Sequence, residues 1–177
     1  MEEKQRAAII QYLVDKLQQS GKVKLQKTMY FLQEALGVPL DYDYEMHYYG
    51  PYSFGLDDTL SEMQGKGVLS ISQVLYSGGY FGYDISLGKN AESDLKLLSE
   101  YKDKADKIVD IFNPMDAQTI ELWATIHFVC SILNEKKGDS NREAVVKEVR
   151  LLKPKFSEQA IEKAYDEMQN KGLLQAQ

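Results

Sequence analysis

Hydrophobic positions recur at steps of three and four over the start of the chain, then switch to steps of two. Ile10, Leu13, Val14 and Leu17 share one face of a helix predicted over residues 2–19, which Ser20-Gly21 ends. Leu25, Met29, Leu32 and Leu36 line a second helix over residues 23–36, closed by Gly37 and Pro39. Another face of that helix aligns Gln26, Tyr30 and Gln33, flanked by Lys24 and Lys27. From Asp41 to Tyr48 the pattern alternates, with Tyr42, Tyr44, Met46 and Tyr48 set against Asp41, Asp43, Glu45 and His47. Period two with aromatic residues predicts a half-buried strand. Gly50-Pro51 cannot continue it as a paired central strand, because proline lacks an N–H and restricts the residue before it. A third helix follows, capped by Gly50 with Pro51 at its first position or by Ser53 one turn later. Leu56, Leu60 and Met63 face inward on it, and Gly65-Lys66-Gly67 ends it.

Residues 68–75 and 80–87 are β-branched and aromatic around Ser77-Gly78-Gly79, which predicts a hairpin. Beyond Gly88 the pattern is helical. Asn90 is the expected cap of a helix carrying Leu98, Tyr101, Ala105, Ile108 and Phe112, and Pro114 ends it. Asp116 caps the next helix, which is apolar on nearly every side from Ile120 to Leu133 and therefore central and buried. A loop is expected over Lys136-Lys137-Gly138-Asp139-Ser140, then two helices near 141–152 and 157–170, parted by Pro154. The fold class is mainly α with a small β component. Residues 1–88 form a winged-helix-like unit with the hairpin as its wing, and residues 89–177 a helical subdomain. Glu62–Leu69 and Glu167–Leu174 echo one another, EMQGKGVL against EMQNKGLL. Either a shared helix-stop signal or a second, degenerate winged-helix-like unit accounts for the echo.

Composition narrows the classes. The 177 residues are 44% hydrophobic and 27% charged, ordinary for a globular chain with a sizeable core. No apolar run reaches membrane-spanning length, the N-terminus lacks a signal-peptide layout, and the one cysteine, Cys130, excludes an internal disulfide. A cytoplasmic location is expected. The net charge of −6 is uneven: six acidic residues and no Lys or Arg lie between Val38 and Gly65. Solubility is the first explanation of such a run, and a basic partner the second.

Candidate chemistry is sparse. No nucleophile elbow, phosphate loop, dinucleotide fingerprint or His-Glu-x-x-His appears, and His47 and His127 fall in different elements. His127 and Cys130 have no second pair to complete a metal site. The expectation is a protein without catalytic residues, cofactor or metal. For nucleic acid, the helix before the wing would carry Asp57, Asp58 and Glu62 towards phosphates, an unfavourable charge pattern. Residues 136–155 hold seven basic against three acidic side chains, so Arg142, Lys147, Arg150, Lys153 and Lys155 are the contacts of an alternative reading as a DNA-binding regulator.

Two motifs combine in a fixed order: Lys24-Leu25-Gln26-Lys27 with Tyr30, then Tyr49-Gly50-Pro51-Tyr52-Ser53 leading to Leu56. Over roughly residues 20–70 this arrangement resembles the SocA/Panacea group of bacterial and phage-associated domains, and within it the YwgA-like proteins. The resemblance implies an antitoxin-type or proteolytic-adaptor domain that acts by binding a protein partner, a toxin or a protease component. Carried over by position, the partner-binding residues are Lys24, Gln26, Lys27, Tyr30, Tyr49, Gly50, Pro51, Tyr52 and Ser53. Tyrosine suits such a surface, since it joins broad apolar contact to a hydrogen-bonding tip. The competing expectation is that Tyr49 or Tyr52 lines the core and fixes the turn.

Overall fold

A computed structural model describes residues 1–18, 21–75, 79, 81–92, 94–137 and 141–174. Among them are eight helices and two antiparallel hairpins, a mainly α fold with a small β component, as the periodicity predicts. The chain divides into two compact units, residues 1–44 with 53–115 and residues 45–52 with 116–177. That division differs from a boundary at residue 88. It assigns residues 89–115 to the first unit and lends a short hairpin segment to the second.

In the first unit, α1 (Glu3–Lys16) and α2 (Lys22–Glu34) bury the predicted stripes. Ile9, Ile10, Leu13, Leu25, Met29 and Leu32 are sealed from solvent, each such side chain contributing roughly 1.5–3 kcal/mol of transfer free energy. The first helix stops at Lys16, earlier than expected, and Ser20 lies outside the described residues. Helix α3 (Phe54–Gly65) starts at Ser53, whose hydroxyl accepts the Leu56 N–H, so the serine is the cap. Strands β3 (Leu69–Leu75) and β4 (Phe81–Leu87) pair in unbroken register. Of their turn, only Gly79 is among the described residues. Gly21 bridges Asp84 on the other side of β4.

The helix expected from Asn90 is broken in two, α4 (Leu95–Leu98) capped by Asp94 and α5 (Lys102–Phe112). Asn90 does not cap it. Its backbone N–H donates to the Gly67 carbonyl and its side chain to that of Lys66, closing the base of the hairpin. Gly88 runs so close by that a Cβ there would lie 2.3 Å from the Gly67 carbonyl oxygen. Phe112 packs edge-on against Phe31, with ring centroids 5.1 Å apart.

The second unit packs α6 (Ala117–Lys137), α7 (Arg142–Leu152) and α8 (Glu158–Asn170) against one another. Asp116 accepts from Thr119 at the start of α6, as its position predicts. Helix α6 continues through Lys136 and Lys137, which were expected in a loop; Gly138, Asp139 and Ser140 lie outside the described residues. Ile120, Trp123, Ile126, Val145, Val149, Ile161 and Met168 form the core. The echoed segments end their helices alike. Val68 and Leu173 donate to the carbonyls of Met63 and Met168, and Gly67 and Gly172 take positive φ of 72° and 66°. Both are the Schellman stop, in which glycine tolerates the left-handed turn.

Candidate functional site

Two glutamines on α2 act as clamps. The Gln26 amide donates to the Ser53 carbonyl at 2.9 Å while its oxygen accepts the Ser53 N–H at 3.1 Å. Two turns further along the same face, Gln33 grips Tyr42 in the same way, at 2.7 and 2.9 Å. A primary amide presents a donor and an acceptor side by side, matching the main-chain groups of one extended residue. Between the clamps, Tyr30 packs edge-on against Tyr44, with centroids 5.1 Å apart. The face that aligns Gln26, Tyr30 and Gln33 therefore holds the chain just before and just after residues 45–52. The Lys-Leu-Gln-Lys and Tyr-Gly-Pro-Tyr-Ser motifs are thereby joined through Gln26 and Ser53. Asp41, at φ 60°, begins this held segment, so the expected strand from Asp41 shrinks to three residues.

Those three are β1 (Glu45–His47), and Gly50–Tyr52 returns beside it as β2. Gly50 and Pro51 thus open a short returning strand rather than the helix, and it is not a central one: in a two-stranded ribbon Pro51, opposite Met46, stands on an edge strand, where proline is tolerated. Tyr48 and Tyr49 form the tip. Neither has a positive φ, whereas Gly50 has φ 87°, which fits a type I turn followed by a left-handed glycine. Tyr48 is 84% exposed and Tyr49 58%. The His47 ring stands 5.3 Å from that of Tyr48 and 5.6 Å from that of Tyr52.

The tip is braced from the second unit's interior. Lys153, just past the end of α7, is buried and donates its ammonium to the Tyr48 carbonyl. It also lies 3.0 Å from Glu121, a carboxylate buried on α6, whose other oxygen accepts from Lys155 at 2.8 Å. Two ammonium groups against one carboxylate leave a single positive charge. Burying Lys153 without Glu121 would be costly, so the carboxylate fixes the lysine and the lysine fixes the turn. Beside the tip, Met46, His47, Tyr48, Leu152 and Lys153 line an open cleft of about 360 Å³. Leu152 is 49% exposed there.

The predicted partner-binding residues separate by burial. Lys24, Gln26, Lys27, Tyr30 and Ser53 are buried, and Gly50 and Pro51 are covered, so none of these seven is displayed. Lys24 donates to the Gln18 carbonyl, and desolvation lowers its pKa. Tyr52 is half-buried. Tyr49 is presented outward, and Tyr48, Leu152 and the Lys153–Glu121 pair join it, although sequence reasoning named only Lys153 among them and for another role. The overlooked signal is Glu121, the one Asp, Glu, Lys or Arg between Ala117 and Asn134 of α6.

Of the residues proposed for nucleic acid, Arg142 is forked onto Asp166 and paired with Glu162. Arg150 donates to the carbonyls of Pro154 and Phe156, and Lys153 and Lys155 share Glu121. Lys147 is exposed. His127 and Cys130 are both buried on α6, and burial pushes the imidazole down to about 4 and the thiol up to about 12, leaving both neutral. Among the described residues no three His, Cys, Asp or Glu side chains are grouped to hold a metal ion. No described helix is long and apolar enough to cross a membrane.

A mainly α protein with a braced aromatic hairpin beside a small cleft is the class these features define. No family model matches the chain. It is similar to the uncharacterized protein YwgA of Bacillus subtilis (strain 168), at 28% identity over 136 residues, covering 77% of this chain and 81% of that protein.

Proposed function

We propose that the chain is a non-enzymatic protein-interaction module whose contact surface is the Tyr48–Tyr49 tip with the cleft against Leu152. One observation carries this: two neighbouring tyrosines stand exposed on a turn whose backbone is bonded to a buried lysine. Aromatic rings on a fixed support lose little freedom on binding, which is why such residues dominate interface energies. The cleft accepts an apolar side chain, and the residual positive charge of the Lys153–Glu121–Lys155 group favours a carboxylate beside it. The partner is accordingly a protein segment joining an apolar and an acidic residue. An antitoxin-type or adaptor role in the manner of the SocA/Panacea group is consistent with that chemistry. A winged-helix-like first unit is supported by the order α1–α2–α3–β3–β4 and by the Gly21–Asp84 bridge, which stands where that fold has its third short strand.

A photo-crosslinking residue at Tyr49, compared in the native host with one at Lys147, tests the surface. The expected result is a single adduct from Tyr49 that Tyr48→Ser suppresses. Equal adducts from both positions, or an adduct indifferent to Tyr48→Ser in a folded variant, would overturn it. The alternative as a DNA-binding regulator has less support, because four of its five candidate cations are engaged within the protein.

A further inference from the structure

The longer hairpin leaves one edge open. Strand β4 is met by β3 on one side and at Asp84 by Gly21 on the other, whereas among the described residues β3 pairs with β4 alone. Gln64 on α3 donates to the Ile71 carbonyl at 3.1 Å, so the main-chain groups of Ile71 point away from β4. By the alternation of an antiparallel ladder, those of Gln73 and Leu75 do too. The edge lacks the usual protection. Its register has no bulge, it holds no proline, and no charged residue occurs from Gly67 to Tyr83 in a chain of net charge −6. Alternation also places Ile71, Gln73 and Leu75 on one face with Ile85, Tyr83 and Phe81. Ile85 is buried near the base, while Leu75 and Phe81 are 63% and 66% exposed towards the tip.

The geometry points to a second copy of this chain as the occupant of that edge. Two β3 strands pair antiparallel about a two-fold axis at Gln73, making a four-stranded sheet ordered β4-β3-β3-β4. Gln73 then lies opposite itself and Ile71 opposite Leu75, so the apolar stripe continues across the axis, as a self-complementary interface requires. The Ile71 carbonyl has a second lone pair, so the Gln64 bond and the new ladder bond coexist. Two chains of net charge −6 can meet here without like charges face to face, because no charged residue occurs from Gly67 to Tyr83. Area sets the strength. Phe81, Tyr83 and Leu75 offer roughly 300 Å² of exposed apolar surface per copy, against about 800 Å² per partner in a standard interface. The dimer is therefore weak and concentration-dependent.

Sedimentation velocity of the full chain from about 1 µM to about 1 mM tests this. The expected wild-type result is a monomer–dimer equilibrium within that range. Gln73 is exposed, so Gln73→Lys and Gln73→Glu each keep the fold, checked by circular dichroism. Each alone places like charges face to face and weakens self-association by about tenfold or more. Mixed together, the two variants form a heterodimer at least as tight as the wild-type dimer and sensitive to salt. A wild type that stays monomeric overturns the proposal. So does an unchanged dimerisation constant in Gln73→Lys, or a mixture that fails to recover association.

Discussion

Tyr49 and Ser53 lie four positions apart in one short stretch and serve opposite ends. Ser53 is fully enclosed: its hydroxyl caps α3 and both its main-chain groups are taken by Gln26. Tyr49 stands in solvent on a turn secured through Tyr48 to Lys153. One motif therefore holds both framework and display. A residue's presence in such a motif says little about which of the two it does, and the bonds made by its backbone decide.

The contrast can be pressed by substitution. The largest effect is expected from Glu121→Gln, which leaves Lys153 buried without its full countercharge. A loss of about 3 kcal/mol should appear in chemical denaturation, along with faster proteolysis of the Tyr48–Tyr49 turn. Acid should act through His127 next. Its folded imidazole protonates near 4 and the unfolded one near 6.5, so between these values the unfolded chain binds a proton that the folded chain refuses. Stability is then complete above pH 6.5 and falls as pH drops towards 4, by up to about 3 kcal/mol. His127→Leu should flatten the melting temperature over that window, and an unchanged slope would show that the imidazole is not the group responsible.

Gln26→Ala removes one clamp and strands the buried Ser53 N–H, while the Ser53 carbonyl keeps the Asp57 N–H, for a loss of about 2 kcal/mol. Ser53→Ala, which deletes only the cap, should cost about 1 kcal/mol. If the two are equal, the clamp is no more than an ordinary surface bond. Tyr48→Ser/Tyr49→Ser closes the series at the display end. Its unfolding free energy should change by less than about 0.5 kcal/mol while the Tyr49 crosslink target is lost. A large destabilisation instead would assign the rings to the framework.

Much of the fold was legible because its signals are local. The stripes of α1, α2 and α3, the Asp116 cap, Ser53 as one of two candidate caps, the β-branched and aromatic runs of β3 and β4 and the glycine helix stops all lie within a few residues. The failures are non-local. Lys24, Gln26 and Lys27 are polar types that composition assigns to the surface, and only Ser53, twenty-seven positions from Gln26, explains why the amide is buried. Pro51 marks the end of the first strand, but nothing nearby says that the chain returns through it as β2. Asn90 resembles a helix cap until Gly67 and Lys66 come back beside it. At the site, the tyrosines announce themselves, but their brace does not. Lys153 and Glu121 are separated by most of α6 and all of α7, so their pairing emerges only when α6 and α7 pack.

The division of the chain has a consequence for its birth. Residues 45–52 belong to a unit whose remaining pieces begin at residue 116, so they leave the ribosome well before their lysine and their helices exist. At ordinary rates of translation that interval is on the order of ten seconds. During it an aromatic turn hangs on a nascent chain without its brace, open to any chaperone or premature partner that recognises exposed rings.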